Sequence, residues 1–127
     1  DSVVMYNGER YHWYVTINPT RFKVVAKTYN DDGVGVDNVY YDNIIHLSLF
    51  QGAKRLYSSD FRKQMYAKMV PETFLTESIL SNIEFSRADA NVFHFSATLC
   101  KPDGVSCYMV DIVIAKDGKM SMKLLEN

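Results

Sequence analysis

Asn91-Val92-Phe93-His94-Phe95-Ser96-Ala97-Thr98-Leu99-Cys100, followed by Lys101-Pro102-Asp103-Gly104-Val105-Ser106-Cys107, is the stretch whose reading decides the fold. Its first part alternates, with Phe93, Phe95, Ala97 and Leu99 on one side and His94, Ser96 and Thr98 on the other, which is the period of a half-buried strand. Pro102-Asp103-Gly104 is turn chemistry, and the run from Cys107 to Ala115 beyond it is apolar on both sides, as a central, covered strand is. Folding the two runs together as a hairpin lets the sulfurs of Cys100 and Cys107 face each other. A bridge there closes a short loop and contributes roughly 2–3 kcal/mol in the chain-entropy model. Disulfides persist in oxidising compartments, so the bridged hairpin points to export; the alternative is two reduced, buried cysteines in a cytosolic domain.

Working outward, the same period and the same punctuation recur. Downstream, Asp117-Gly118 is a tight hairpin turn into Lys119 to Leu125. Upstream, the strand-like runs are Ser2 to Tyr6, Arg10 to Ile17, Phe22 to Tyr29, Val36 to Tyr41, Ile44 to Phe50, Lys54 to Tyr57 and Ile83 to Arg87. Asn7-Gly8, Asn18-Pro19-Thr20, Asn30-Asp31-Asp32-Gly33 and Gln51-Gly52 separate the early ones. The period changes from Asp60 to Met69, where Phe61, Met65 and Met69 recur at i, i+4, i+8 with Arg62, Lys63 and Lys68 off that stripe, the pattern of an amphipathic helix. Ser59 or Asp60 caps its start, and Pro71 disfavours helical geometry at Val70 and stops it. The segment Glu72 to Ser81 reads equally as a second helical piece or an irregular strand.

These runs predict a mainly β fold: an antiparallel up-and-down meander of about eight strands that curls into a barrel and so removes its edges, with one inserted amphipathic helix. An α+β fold, in which a bent sheet wraps the helix, is the second reading. The 127 residues make one domain spanning 1–127, because no linker, repeat or charge block divides them. A formal net charge of −1 supplies no global field toward nucleic acid or anionic membrane. No apolar run is long enough to span a bilayer. The nine Tyr, seven Phe and one Trp are the one deviation from an ordinary composition, and they suit strands.

The string Tyr40-Tyr41-Asp42 followed by Leu47-Ser48-Leu49, the run Asp60-Phe61-Arg62-Lys63, and the late Cys100-Lys101-Pro102-Asp103 hairpin together resemble a family of uncharacterised exported lipoproteins of Bacteroidetes-type gut bacteria, a domain of unknown function with a lipocalin-like barrel. The resemblance covers most of the chain. It implies export to the periplasm or outer membrane and a lipid anchor upstream of Asp1, and it carries no catalytic residue.

Chemistry in the sequence is mostly negative. His12, His46 and His94 are far apart, and no metal-ligand spacing, phosphate loop or nucleophile elbow occurs, so neither a metal, a cofactor nor a catalytic residue is expected and the protein is read as no enzyme. Asp31-Asp32-Gly33 reads as a turn rather than a calcium loop. Lys54, Arg55, Arg62, Lys63 and Lys68, interleaved with Tyr57 and Tyr66, read as a solvated face rather than a nucleic-acid surface. A thiol–imidazole pair of His94 and Cys100 competes with oxidation of that sulfur by Cys107. Asp111 lies between Met109 and Val113 in the most apolar strand, where a carboxylate is either bonded locally, to water or a Lys, or faces a ligand cavity.

Binding is therefore the expected function. An exported module holding an apolar or amphipathic ligand in an aromatic-lined interior would use Trp13, Phe93 and Phe95, with Asp111 beside it, unless those rings fill a solid core. An interaction module of the cell envelope would instead use exposed tyrosines near strand ends, with Tyr40 and Tyr41 foremost and Tyr6 and Tyr11 beside them.

Overall fold

Strands form wherever one side chain in two finds the interior, and the chain does this for most of its length. A computed structural model describes residues 2–125. The elements run β1 (Ser2–Tyr6), β2 (Glu9–Tyr29), β3 (Gly35–Gln51), β4 (Lys54–Phe61), a 3-10 turn (Lys63–Tyr66), α1 (Glu72–Glu77), β5 (Ile79–Asp89), β6 (Val92–Cys100), β7 (Cys107–Ala115) and β8 (Met120–Leu124). They make two four-stranded antiparallel sheets of order β1-β2-β3-β4 and β5-β6-β7-β8. Tyr11, Trp13, Leu47 and Leu49 of the first sheet and Ile83, Phe93, Phe95 and Ile112 of the second belong to one buried cluster, so the sheets are two layers over a single core.

The mainly β class and the up-and-down strand order agree with the sequence reading. The closed lipocalin-like barrel is not found: among the described residues no ladder joins one sheet to the other. The physical reason lies in the β4–β5 connection, which leaves the edge of the first sheet through the 3-10 turn and α1 instead of a tight hairpin. The sheets are tied there by side chains. Asp42, 3% exposed, accepts from the Leu80 amide at 2.9 Å and from the Asn43 amide at 2.8 Å, and Asn43 Nδ2 donates to the Leu80 carbonyl at 3.0 Å. At the far side Gly118, with φ +89°, brings the β7–β8 turn against β4 so closely that a Cβ there would lie 2.8 Å from the Leu56 carbonyl oxygen.

Two expected breaks are absent. Asn18-Pro19-Thr20 does not end a strand: Pro19 is still paired with Asn43, the β2–β3 register shifts between Pro19 and Lys23, and β2 continues past this irregularity, where a proline is tolerated, to Tyr29. Its partner β3 is likewise continuous from Gly35 to Gln51.

The expected helix over Asp60–Met69 is also corrected. Ser58, Ser59, Asp60 and Phe61 extend β4, pairing with Ser48, Leu47, His46 and Ile45. Only Lys63–Tyr66 coils, as a 3-10 turn whose buried members are Lys63 and Tyr66, while Met65 is 38% exposed. Phe61 is buried as a strand residue, so the i, i+4, i+8 stripe was a coincidence of a strand end and a turn. The undecided segment resolves into both readings in sequence, helix α1 over Glu72–Glu77 and then β5 from Ile79.

The disulfide Cys100–Cys107 is formed across the β6–β7 hairpin, where the two residues are register partners. Thiol titration of the denatured, unreduced protein is expected to find no free sulfhydryl. Reduction should cost about 2–3 kcal/mol, read as a lower urea midpoint; two titrating thiols in the unreduced protein would remove the bridge from the account.

Candidate functional site

The aromatic residues expected to line an interior site lie together, and they pack on each other. Trp13 is 9% exposed and Phe93 and Phe95 are fully buried. The indole stacks on Phe85 at 4.2 Å and meets the edge of Phe95 at 5.9 Å, while Phe93 lies 4.5 Å from Tyr11. Offset and edge-on contacts at these separations are those of a filled core. The nearest opening is a cleft of about 450 Å³ at the margin of that core, with Trp13, Val15 and Ile17 on one wall and Ile83 and Phe85 on the other. Ser2, the described residue of β1 that pairs with Trp13, lies at one end of it.

Asp111 does not join them. In β7 the side chains of Val110, Ile112 and Ile114 point into the core, so Asp111 stands on the outer face of the second sheet. There its carboxylate meets His94 Nδ1 at 2.9 Å, and the other ring nitrogen of His94 lies 3.3 Å from Asp89. Arg87 Nε donates to Asp89 at 2.7 Å, and that hydrogen bond is the main cause holding the Asp89 carboxyl below the usual carboxylate range. The carboxylate is thus bonded locally, to a histidine. A pair of His94 with a Cys100 thiol is excluded, because that sulfur is in the disulfide.

Tyr40 and Tyr41 lie on an arm. Beyond the irregularity at Pro19/Lys23, the segment from Lys23 to Tyr29 pairs with Gly35 to Tyr41, and among the described residues no pairing of β1 or β4 extends to it. One face carries Lys23, Val25, Lys27 and Tyr29 with Tyr41, Val39 and Asp37 opposite; the other carries Val24 and Ala26 with Tyr40 and Asn38. The second face is partly covered, since Val24 is 2% exposed, and with Glu77, Lys101 and Pro102 it walls a cleft of about 430 Å³. The first face is open: Val25 is 49%, Val39 48%, Tyr41 49% and Tyr29 70% exposed. Eight of the sixteen large apolar side chains exposed among the described residues fall between Phe22 and Tyr41, so the exposure is concentrated on this arm. Tyr6 and Tyr11 are corrected as surface anchors: Tyr11 is fully buried, and the Tyr6 hydroxyl accepts from the Asn91 amide at 2.9 Å.

One group of polar side chains was missed by the sequence reading. On the outer face of the first sheet Asp60 Oδ1 lies 2.7 Å from His46 Nδ1, and His46 Nε2 lies 2.8 Å from Ser48 Oγ and 3.1 Å from Ser58 Oγ. The register places His46 opposite Asp60 and Ser48 opposite Ser58. The signal was present, because His46 and Ser48 are two apart on one strand and Ser58 and Asp60 are two apart on the next. A β4 that ends at Tyr57, with Asp60 in a helix, separates these residues and hides it.

The chain belongs to the family described as Domain of unknown function (DUF4738), whose model matches residues 1–122. No curated protein matches it.

Proposed function

We propose that the protein is an exported binding module of the cell envelope that docks a protein partner through the open face of the β2–β3 arm. The observation that carries this reading is the arm itself, a two-stranded ribbon with Val25, Val39, Tyr41 and Tyr29 presented to solvent on one face. A two-stranded ribbon is marginally stable in water by itself, and a concentration of exposed apolar side chains marks an interaction surface. The occupant fits a protein surface that is apolar at its centre and carries carboxylates at one margin. Those carboxylates would meet Arg21 and Lys23, which with Thr20 and Tyr41 line a cleft of about 420 Å³ at the root of the arm. Lys27 is already paired with Asp37 at 3.8 Å and adds little charge.

Placement in the periplasm, or anchorage at the outer membrane through a lipid, is part of the proposal. The disulfide supports an oxidising compartment, and the likeness to exported lipoproteins supports the anchor. An apolar small-molecule ligand is the second reading. It is favoured only by the cleft beside Trp13, whose emission reports on that place. Nothing in the docking reading requires turnover, a metal or a cofactor.

Val39→Asp and Tyr41→Asp are expected to weaken capture of the envelope partner by at least about 30-fold each, the scale of a central interface residue, with melting temperatures close to wild type. Lys54→Asp, on an exposed strand end remote from the arm, should leave capture unchanged. Equal capture by wild type and both arm variants would remove docking from the arm, and saturable quenching of Trp13 by a fatty-acid-like probe with no partner recovered would move the function to the cleft.

A further inference from the structure

His46 is placed as the base of a serine nucleophile is placed. Asp60 is a carboxylate and only accepts, so the proton of the imidazole sits on Nδ1 toward Asp60 at 2.7 Å and the lone pair of Nε2 faces the hydroxyls of Ser48 and Ser58. The two serines differ in access: Ser48 is 7% exposed, whereas Ser58 is exposed on β4. His94 lacks this arrangement, since both of its ring nitrogens are held by carboxylates, and the buried Ser96 hydroxyl near it has no hydrogen-bond partner.

We propose that Ser58 is an activated serine that accepts the acyl group of small aryl or alkyl esters, with His46 as its base and Asp60 as the residue that orients His46. The Ser58 hydroxyl passes its proton to His46 Nε2 while an Oγ lone pair bonds to the ester carbonyl carbon and the C=O π pair moves onto oxygen. When the carbonyl re-forms, the C–O bond to the alcohol breaks, and the departing oxygen takes the proton back from Nε2. Water, deprotonated by the same nitrogen, then attacks acyl-Ser58; the acid departs, and Ser58 regains its proton from Nε2. Asp60 keeps the imidazole in the tautomer the step requires.

Two features suit an ester. β4 is the edge of its sheet, so every second amide along it points away from β3, and one such donor lies within a residue of Ser58 to receive the developing oxyanion. Tyr14 stands across the strand from Ser48 and is 43% exposed, so Tyr14, Ser48 and Ser58 form one row over three strands, and an acyl or aryl group bound at Ser58 extends over Ser48 onto the ring.

The test uses the full chain with an alkyl fluorophosphonate, read by intact mass and peptide mapping, and with p-nitrophenyl acetate, read as nitrophenolate release. One probe per chain on Ser58 is expected, with none on Ser58→Ala. His46→Gln should label at least about 100-fold more slowly, the usual scale of a general base. Ser48→Ala should label at least as fast as wild type, because Ser48 competes for the Nε2 lone pair. Asp60→Asn should slow labelling at an unchanged melting temperature, and Asp60→Glu should restore part of the rate. No incorporation into folded wild type, incorporation at Ser48 or at a tyrosine, or equal rates for wild type and His46→Gln would overturn the assignment.

Discussion

Lys63→Asp is expected to destabilise the protein by about 3–5 kcal/mol, the scale for breaking a buried charge from its partners, whereas Met65→Asp should cost less than about 1 kcal/mol. Lys63 is 9% exposed and its ammonium donates to the Ser78 carbonyl at 2.9 Å and the Thr76 carbonyl at 3.4 Å. These oxygens lie at the C-terminal end of α1, where a cation hydrogen-bonds carbonyls that the helix leaves unpaired. A carboxylate in its place would face the same oxygens and the nearby Asp42 with the wrong sign. Met65 lies on the exposed side of the 3-10 turn, where a charge stays hydrated. Urea unfolding of the two variants measures the difference; equal midpoints would show that Lys63 is not the tie between the turn and α1. Burial also holds the Lys63 pKa below the ordinary lysine value, so in the folded protein protonation is less favourable than in the unfolded chain. This group's contribution to stability therefore increases as pH rises through the lowered pKa toward 10.5.

Lys63 and Met65 show where a sequence pattern ceases to be informative. Phe61, Met65 and Met69 satisfy a helical period, but three matches over nine residues also arise when a strand runs into a turn, and a Lys with a long stem can be turned inward by carbonyls that only the tertiary fold supplies. The β6–β7 hairpin was legible because two signals agreed, the alternation of the runs and the turn chemistry between them. That pairing of Cys100 with Cys107 also fixes Ser96 opposite Asp111, and so puts Asp111 on the His94 face, away from Phe93 and Phe95. The partner of Asp111 was thus within reach of the sequence, as was the His46 group had β4 been carried on to Phe61. The arm was less so. Phe22 to Tyr29 and Val36 to Tyr41 read as ordinary strands, and nothing local says that among the described residues no third strand pairs alongside them, because the reach of neighbouring strands is a property of the whole sheet. The side-chain ties from Asp42 and Asn43 to Leu80 are likewise long-range and leave no periodic trace.

Phe95→Ala is expected to lower stability by about 3–5 kcal/mol, the range for removing a buried ring. Phe95 is fully buried, with Phe85 at 5.5 Å and the Trp13 indole at 5.9 Å, so its removal takes a contact surface from both sheets at once. Neighbours on opposite layers close over such a void only in part, because each is held by its own ladder, and the residual cavity adds to the transfer cost. The Trp13 emission of the variant, measured while it is still folded, should change because one of the two rings packed on the indole is gone. The same variant separates the two binding readings. If the function lies on the arm, Phe95→Ala retains partner capture at temperatures where it remains folded, because Val39 and Tyr41 are outside the core cluster. If Phe95 lined a ligand site instead, its removal would leave urea stability nearly unchanged and abolish binding of an apolar probe. That outcome would require the ring to face an opening, in place of the Phe85 and Trp13 side chains that now cover it.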